Sequence, residues 1–323
     1  MRPLKFHPIL KQTLWGGERI IPYKELASGL SRVGESWELS GMPGSESVVA
    51  EGPWAGITLS ELIGRFGAEL LGKANYARFG QEFPLLVKFI DAREDLSIQV
   101  HPDDELARKR HGKSGKCEMW YVLEAEPGAS LLTGFSRPIA PAEYERRVAD
   151  NTLTDVLNRQ AIASGDVFYL PAGRVHSIGK GSFIVEIQQS SDITYRIYDF
   201  DRRDAAGNSR ELHTELAREA IDFESSENSR ITYAPENNQE VRLVTTPYFT
   251  TSLYTLTART RCDWSATDSF VAIVLLQGSG SLTDNEGNRI DVRQGETWLL
   301  PASTQWTEIT PHTAPLRLLT SRI

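Results

Sequence analysis

One short pattern occurs twice in this chain and limits its possible folds more than any other feature. Gly165-Asp-Val-Phe-Tyr-Leu-Pro171-Ala172 returns as Gly295-Glu-Thr-Trp-Leu-Leu-Pro301-Ala302. Each copy reads as a glycine turn, a short strand and a proline stop. Upstream of each lies a further strand and turn, Tyr121-Val-Leu-Glu-Ala-Glu-Pro-Gly128 and Ile273-Val-Leu-Leu-Gln-Gly-Ser-Gly280. Repetition at this scale implies two β units in tandem. The length of 323 residues has room for both, at roughly 150 residues per domain. The polar stretch Ser225 to Glu240 has the composition of a connector.

The rest of the sequence agrees with a mainly β chain. Phe83 to Ile90, Leu96 to Val100, Met119 to Leu123, Asp166 to Leu170 and Phe183 to Gln188 are strand-length. They are rich in β-branched and aromatic residues and bounded by turn formers. Helical period is confined to three stretches. Thr58 to Leu71 begins with a capping box, Ser60 standing before Glu61 and Leu62. Pro141 to Val148 opens with proline in its first turn, and Leu212 to Phe223 is amphipathic. Many strands with few helices favour a barrel or sandwich over a βαβ fold. The expected division is a first domain over 1–235, with helical insertions near 58–80 and 138–160, and a second over 236–323.

Charge and apolar runs exclude several classes of partner. Lys and Arg number 35 against 43 Asp and Glu, a net charge of −8, which lacks the basic excess of a nucleic-acid surface. The longest apolar runs, such as Phe270 to Leu276, are strand-sized, far short of the ~20 residues that cross a bilayer. The N-terminus, MRPLKFHPILKQ, shows no signal-peptide pattern. With only Cys117 and Cys262 available, a disulfide framework is not expected and a cytoplasmic location is.

The first copy carries the chemistry. Strand alternation places Ser97, Gln99 and His101 on one face, and Lys116, Glu118 and Trp120 on one face. His176 follows just past the turn Pro171-Ala-Gly173. Two imidazoles, a carboxylate and an amide oxygen projecting into one barrel form a candidate divalent-metal site. A carboxylate facing inward is costly unless it is paired or metal-bound. This mixed nitrogen and oxygen set suits Zn²⁺, would accept Mn²⁺, Fe²⁺ or Co²⁺, and leaves room for water or substrate. In the second copy, aligning the turns puts Trp306 at the His176 position, and aligning the upstream strands puts Phe270 at Glu118. That unit is therefore expected to be metal-free, its metal position filled by aromatic rings.

Gly165-x5-Pro171-x-Gly173-x2-His176 resembles the second cupin motif, and Gln99-x-His101 with Glu118 resembles a variant of the first. More narrowly, the chain resembles the type I phosphomannose isomerases in their shorter bacterial form. The resemblance rests on Leu14-Trp15-Gly16-Gly17, Gly34-Glu35-Ser36-Trp37-Glu38, Leu96-Ser-Ile-Gln-Val-His-Pro102 and Gly115-Lys-Cys-Glu118. Leu170-Pro-Ala-Gly173, Ile184-Val-Glu-Ile187, Ser191-Asp192 and Tyr195-Arg-Ile-Tyr-Asp199 extend it. It implies two tandem cupin (jelly-roll) barrels with a small helical insertion, of which the C-terminal one is degenerate. It also implies one zinc ion per chain on Gln99, His101, Glu118 and His176, and interconversion of mannose 6-phosphate with fructose 6-phosphate. The family's active-site arginine falls on Arg196, its lysine before the ligand glutamate on Lys116, and a further acid on Glu186. Lys88 and Ser97 fall where the family lines its substrate pocket. Trp15, with Trp37 and Trp120, is a candidate sugar-stacking wall. The segment Lys-Cys-Glu differs from the Lys-Pro-Glu of the longer form, and leaves the phosphate-binding residues unassigned.

Aldose–ketose isomerisation through a cis-enediol needs a base near neutral pKa and stabilisation of a developing oxyanion. Arg196 keeps its proton and suits oxyanion or phosphate stabilisation. Lys116, Glu186 and a metal-bound water are the candidate bases, and the sequence leaves all three open. A related cupin isomerase acting on another sugar or phosphosugar, an Fe(II)-dependent cupin oxidoreductase and a non-catalytic sugar sensor are the competing readings. The expected partner is a small phosphosugar, with neither nucleic acid nor membrane, and the chain is expected as monomer or homodimer.

Overall fold

Strand alternation sorts this chain into layers. The computed structural model describes residues 1–204, 206–224 and 228–323. Leu85–Ala92 and Ser182–Gln189 are buried along their whole length and, with Glu118–Ala125, lie side by side in a seven-stranded antiparallel sheet. On one face, Leu85, Val87, Phe89, Met119, Tyr121, Phe183, Val185 and Ile187 enter a large core. On the other, Ile90, Trp120, Val122 and Ile184 enter a smaller one. Lys88, Glu118, Glu186 and Gln188 share the phase of that second set, since period two sends alternate residues to opposite faces. The ladders pair Glu186 with both Lys88 and Trp120, and Gln188 with Glu118.

A five-stranded sheet faces this polar side. Its order is Leu157–Ala161, Ser130–Phe135, His176–Ile178, Ile98–Val100 and Tyr195–Tyr198. Leu131 and Ile178 meet Ile90 and Ile184 between the two sheets. The outer face, with Ile98, Val100, Leu132 and Ile197, packs on Ala107, Tyr144 and Ala217 of the helices Asp104–His111, Pro141–Ala149 and Thr214–Ala220.

The second unit stacks a six-stranded sheet on a four-stranded one. Strand Val271–Gln277 sends Ala272, Val274 and Leu276 into the large core and Val271, Ile273 and Leu275 into the second unit's own. The two units thus share one apolar layer, in which the Phe83 and Phe270 rings lie 4.8 Å apart. Two short strands extend the sheets, and the first of them crosses from one unit to the other. Leu4–Lys5 pairs with Trp298 and Leu299, and Arg230–Ile231 pairs with Val167 and Phe168 in the seven-stranded sheet. The second of these falls in the stretch read as a connector, of which residues 225–227 lie outside the described residues.

Local signals differ from the sequence reading at three places. The capping box belongs to Thr58, whose Oγ1 accepts from Glu61 N at 3.2 Å while Glu61 Oε2 accepts from Thr58 N at 2.9 Å. Ser60 is already helical and donates to Glu46 at 2.7 Å. The helix then stops at Phe66, because Gly67 adopts φ +48°, and Leu212 to Phe223 shortens to Thr214–Ala220.

The expected filling of the second unit is corrected by strand phase. Glu118 stands opposite Leu170, and the equivalent pair is Val271 opposite Leu300. Phe270, one residue earlier, belongs to the core between the units. Likewise Thr307 is the buried residue, receiving the Trp264 indole N–H at 3.0 Å. Trp306 is half-buried beneath the Arg261 guanidinium at 4.2 Å. Both predicted aromatics lie on the opposite strand face, and Trp264, Val271 and Thr307 hold the interior. No described helix is long and apolar enough to cross a membrane.

Candidate active site

Backbone contacts bring distant segments together before any side chain acts. Gly173 N donates to His101 O at 2.9 Å, and Lys116 N donates to Pro102 O at 3.1 Å. Gly173 adopts φ +84°, and a Cβ there would sit 3.1 Å from Ala220 O, so the turn leading to His176 needs glycine. At Gly115 a Cβ would lie 2.5 Å from the Asp103 carbonyl carbon. Glycine there lets the Lys116–Glu118 segment close on the His101 loop.

Four predicted donors converge from both sheets. His176 Nε2 is 3.1 Å from Glu118 Oε1, and His101 Nε2 is 3.5 Å from Glu118 Oε2. The Gln99 amide lies 3.4 Å from His176 Nε2, directly across the ladder. His101 Nδ1 lies 2.8 Å from Ile193 O, and His176 Nδ1 lies 2.8 Å from Arg174 O. A carbonyl only accepts, so each Nδ1 carries the proton and each Nε2 offers a lone pair. Burial, reinforced by the Lys116 charge and opposed by Glu118, pushes the His101 pKa down to about 3, which leaves the ring in its ligating form. Burial opposes the Glu118 charge, but Lys116 and then His176 and His101 outweigh it and hold this carboxyl well below the usual range.

These donors fit a metal ion. His101 Nε2 and Glu118 Oε1 are buried without a hydrogen-bond partner, Glu118 Oε2 has only the Lys116 ammonium, and leaving such atoms unsatisfied costs about 1–3 kcal/mol each. The three side chains offer donor atoms within 4.8 Å of one another. Separations of 3.1 to 3.5 Å match the edge of a tetrahedron with bonds of about 2.1 Å. Turning the Gln99 amide over would present its oxygen at the same place, with Ser97 Oγ now 3.3 Å from Oε1.

A cleft of about 540 Å³ adjoins the donors. Trp15, Lys88, Ser97, Gln99, Lys116, Glu186 and Arg196 all line it. The sequence reading missed three further polar lining residues, Glu35, Thr194 and Arg210. Glu35 lies in the quoted Gly34–Glu38 motif, but Arg210 sits in an aperiodic loop that gave no signal. Lys116 Nζ lies 3.0 Å from Glu118 Oε2, and Lys88 Nζ lies 2.9 Å from Glu186 Oε2. Burial opposes the Lys88 charge, yet Glu186 and Glu35 outweigh it and raise its pKa. Trp120 donates its indole N–H to Glu186 Oε1 at 3.0 Å. It is wholly buried edge-on to His176, so it is no part of a sugar-stacking wall. Trp37 carries the Lys88 ammonium 5.2 Å from its ring centre, and of the three tryptophans Trp15 is the one that lines the cleft. Arg196 pairs with Gln99 across the ladder and donates from Nη1 to Glu211 O at 2.9 Å. Burial and then the neighbouring Arg210 lower its pKa from the usual arginine value. Four cations against two carboxylates line this cleft, so an anion is favoured locally on an acidic protein.

Comparison with known proteins places the chain among relatives of one family. Residues 4–132 match the family model described as phosphomannose isomerase type I, catalytic domain. Over 303 residues the chain is 34% identical to the mannose-6-phosphate isomerase ManA of Bacillus subtilis, covering 93% of each chain. Over 302 residues it is 33% identical to a mannose-6-phosphate isomerase of Streptococcus mutans, covering 93% of this chain and 92% of that one. The crystal structure of a mannose 6-phosphate isomerase from Bacillus subtilis matches the whole of both chains with a TM-score of 0.90 at 30% identity.

Proposed function

The chain belongs to the type I phosphomannose isomerases, and on that premise we propose that it interconverts mannose 6-phosphate and fructose 6-phosphate through a cis-enediol. The observation that carries this reading is the convergence of His101, Glu118 and His176 beside a cation-lined cleft. With Gln99 they would hold one divalent ion per chain, and the mixed nitrogen and oxygen donors favour zinc. Bound there, the ion would polarise the C1 and C2 oxygens of the open-chain sugar and lower the cost of the developing negative charge.

The chain's own residues supply the proton traffic. Lys116 borders the cleft and has a ligand carboxylate as its ion-pair partner. With its own proton first released to solvent, its neutral amine takes the C2 proton and returns it to C1 on the same face of the planar enediolate, while the proton of the C2 hydroxyl passes to the C1 oxygen. Glu186 has both oxygens engaged, one by Lys88 and one by Trp120. Its part is to hold Lys88 towards the sugar hydroxyls, and Lys116 is the stronger candidate for the base. Arg196 cannot readily release a proton and stabilises the enediolate charge. Ser97 and Trp15 contact the sugar, one through its hydroxyl and the other through its ring. All these groups come from one chain, so a monomer and a homodimer are both compatible with activity. Two buried free cysteines, Cys117 and Cys262, fit a reducing cytoplasm.

Purified protein is expected to convert mannose 6-phosphate to fructose 6-phosphate in a coupled assay. Chelation should abolish turnover, and zinc should restore it. A metal-replete sample without turnover would refute the reading.

A further inference from the structure

The loop after strand Tyr195–Tyr198 holds a cluster that the isomerisation scheme leaves unused. Arg210 lines the cleft beside Thr194 and Arg196. Its Nε donates to Asp199 Oδ2 at 2.8 Å, and its Nη2 pairs with Asp199 Oδ1. Arg202 shares the same carboxylate, with Nη2 2.6 Å from Oδ1, and its Nη1 donates to Asp95 O. Asp199 is itself only 5% exposed, so one buried carboxylate sets the orientation of two guanidinium groups. Arg196 adds a third cation whose Nη1 partner is a neutral carbonyl. The nearby Glu211 carboxylate is 84% exposed and faces His213 at 3.8 Å.

Three positive charges therefore gather near one buried negative charge, and two of them, Arg196 and Arg210, line the cleft. Neutral sugar hydroxyls give no reason for that excess. The buried Nε atoms of Arg196 and Arg202 also lack a hydrogen-bond partner, so Asp199 does not saturate the donors of this cluster. Arg210 uses Nε and Nη2 on Asp199, which leaves Nη1 for a ligand. A planar guanidinium fixed at one edge suits an oxygen-rich dianion.

We propose that Arg210 is the residue that positions the substrate's terminal phosphate, with Asp199 fixing its orientation and Arg202 holding Asp199. The proposal rests on the isomerase reading and adds to it the device that separates phosphosugars from free sugars. Asp199 and Arg202 act through Arg210 and are positioning residues.

The test uses the zinc-loaded full chain and the variants R210Q, R210K and D199N. The readouts are KM and kcat for mannose 6-phosphate and Ki for inorganic phosphate as a competitive inhibitor. In R210Q, KM and Ki should rise together by about 10- to 100-fold, the effect of losing a charge-assisted bond, while kcat falls far less. R210K should recover part of the loss as a point charge. D199N should reproduce part of it and add nothing in the R210Q background. Unchanged KM and Ki in R210Q, or a fall in kcat at constant KM, would overturn the proposal. Phosphate-induced thermal stabilisation separates the two readings. A wild-type chain without turnover refutes the isomerase reading alone. The assignment of Arg210 then stands if R210Q loses the phosphate-induced shift, and falls if it keeps it.

Discussion

Trp120→Phe isolates the bond that fixes Glu186. Trp120 is wholly buried between the two sheets of the first unit, and its indole N–H donates to Glu186 Oε1 at 3.0 Å. Phenylalanine keeps the six-membered ring and most apolar contacts but deletes the donor. Lys88 remains 2.9 Å from the other oxygen, so Glu186 loses one partner of two. A hydrogen bond to a charged acceptor is worth about 1.5–3 kcal/mol. The missing edge of the indole adds a cavity cost of roughly 1 kcal/mol. The single variant should therefore lose about 2.5–4 kcal/mol in urea unfolding. Zinc is held at one saturating concentration throughout, because bound metal adds to stability by mass action. A double-mutant cycle with Glu186→Gln separates the two contributions, since the cavity is common to both backgrounds. Glutamine still accepts, but a neutral bond is about half as strong as a charge-assisted one. The coupling should thus be about 1 kcal/mol. A coupling below about 0.3 kcal/mol would mean that Trp120 merely fills the core, and the assignment of Glu186 as a residue held in place would fail.

Two further outcomes follow from the same geometry. Lys116→Met removes the amine assigned to proton transfer, and turnover should fall about 10²- to 10⁴-fold with zinc content by atomic absorption unchanged. Loss of the metal in parallel would assign Lys116 to holding Glu118 instead. Phe270→Ala empties a fully buried site against Phe83 and should cost about 3–5 kcal/mol in urea unfolding. A cost under about 1 kcal/mol would mean that this ring contributes little to the layer joining the units.

Much of the site was readable because it lies on strands or within two residues of their ends. Period two alone aligned Gln99 with His101 and Lys116 with Glu118, and these residues do meet around one point. Strands buried on both faces also announced themselves as apolar runs interrupted by a few charges, of which Lys88 and Glu186 pair at 2.9 Å. Arg210 stayed hidden for the opposite reason. It reaches the cleft from a loop, where no period constrains direction, and Asp199, although part of the Tyr195–Asp199 motif, shows its part as an anchor only in its two guanidinium contacts. The crossing strand Leu4–Lys5 is too short to carry a pattern, and its partners Trp298 and Leu299 lie almost the whole chain away. The cap falls two residues earlier because a capping box needs its acid three residues on, which places Glu61 after Thr58, whereas Ile63 stands three residues after Ser60.

Comparison of the two units shows what the repeated turn does and does not determine. It fixes the ladder, so that Glu118 faces Leu170 in one unit and Val271 faces Leu300 in the other. It does not fix the inward side chain. The first unit carries a buried carboxylate there, paired with Lys116 and facing the His176 imidazole. The second has a valine that needs no partner, beside a tryptophan hydrogen-bonded to Thr307. The neighbouring positions, Met119 and Ala272, point the other way into the core that joins the units. Chemistry and assembly are thus written on opposite faces of the same strands. A substitution at Glu118 should alter metal binding with the joint core intact, whereas one at Met119 should weaken the joint core and leave the donors in place.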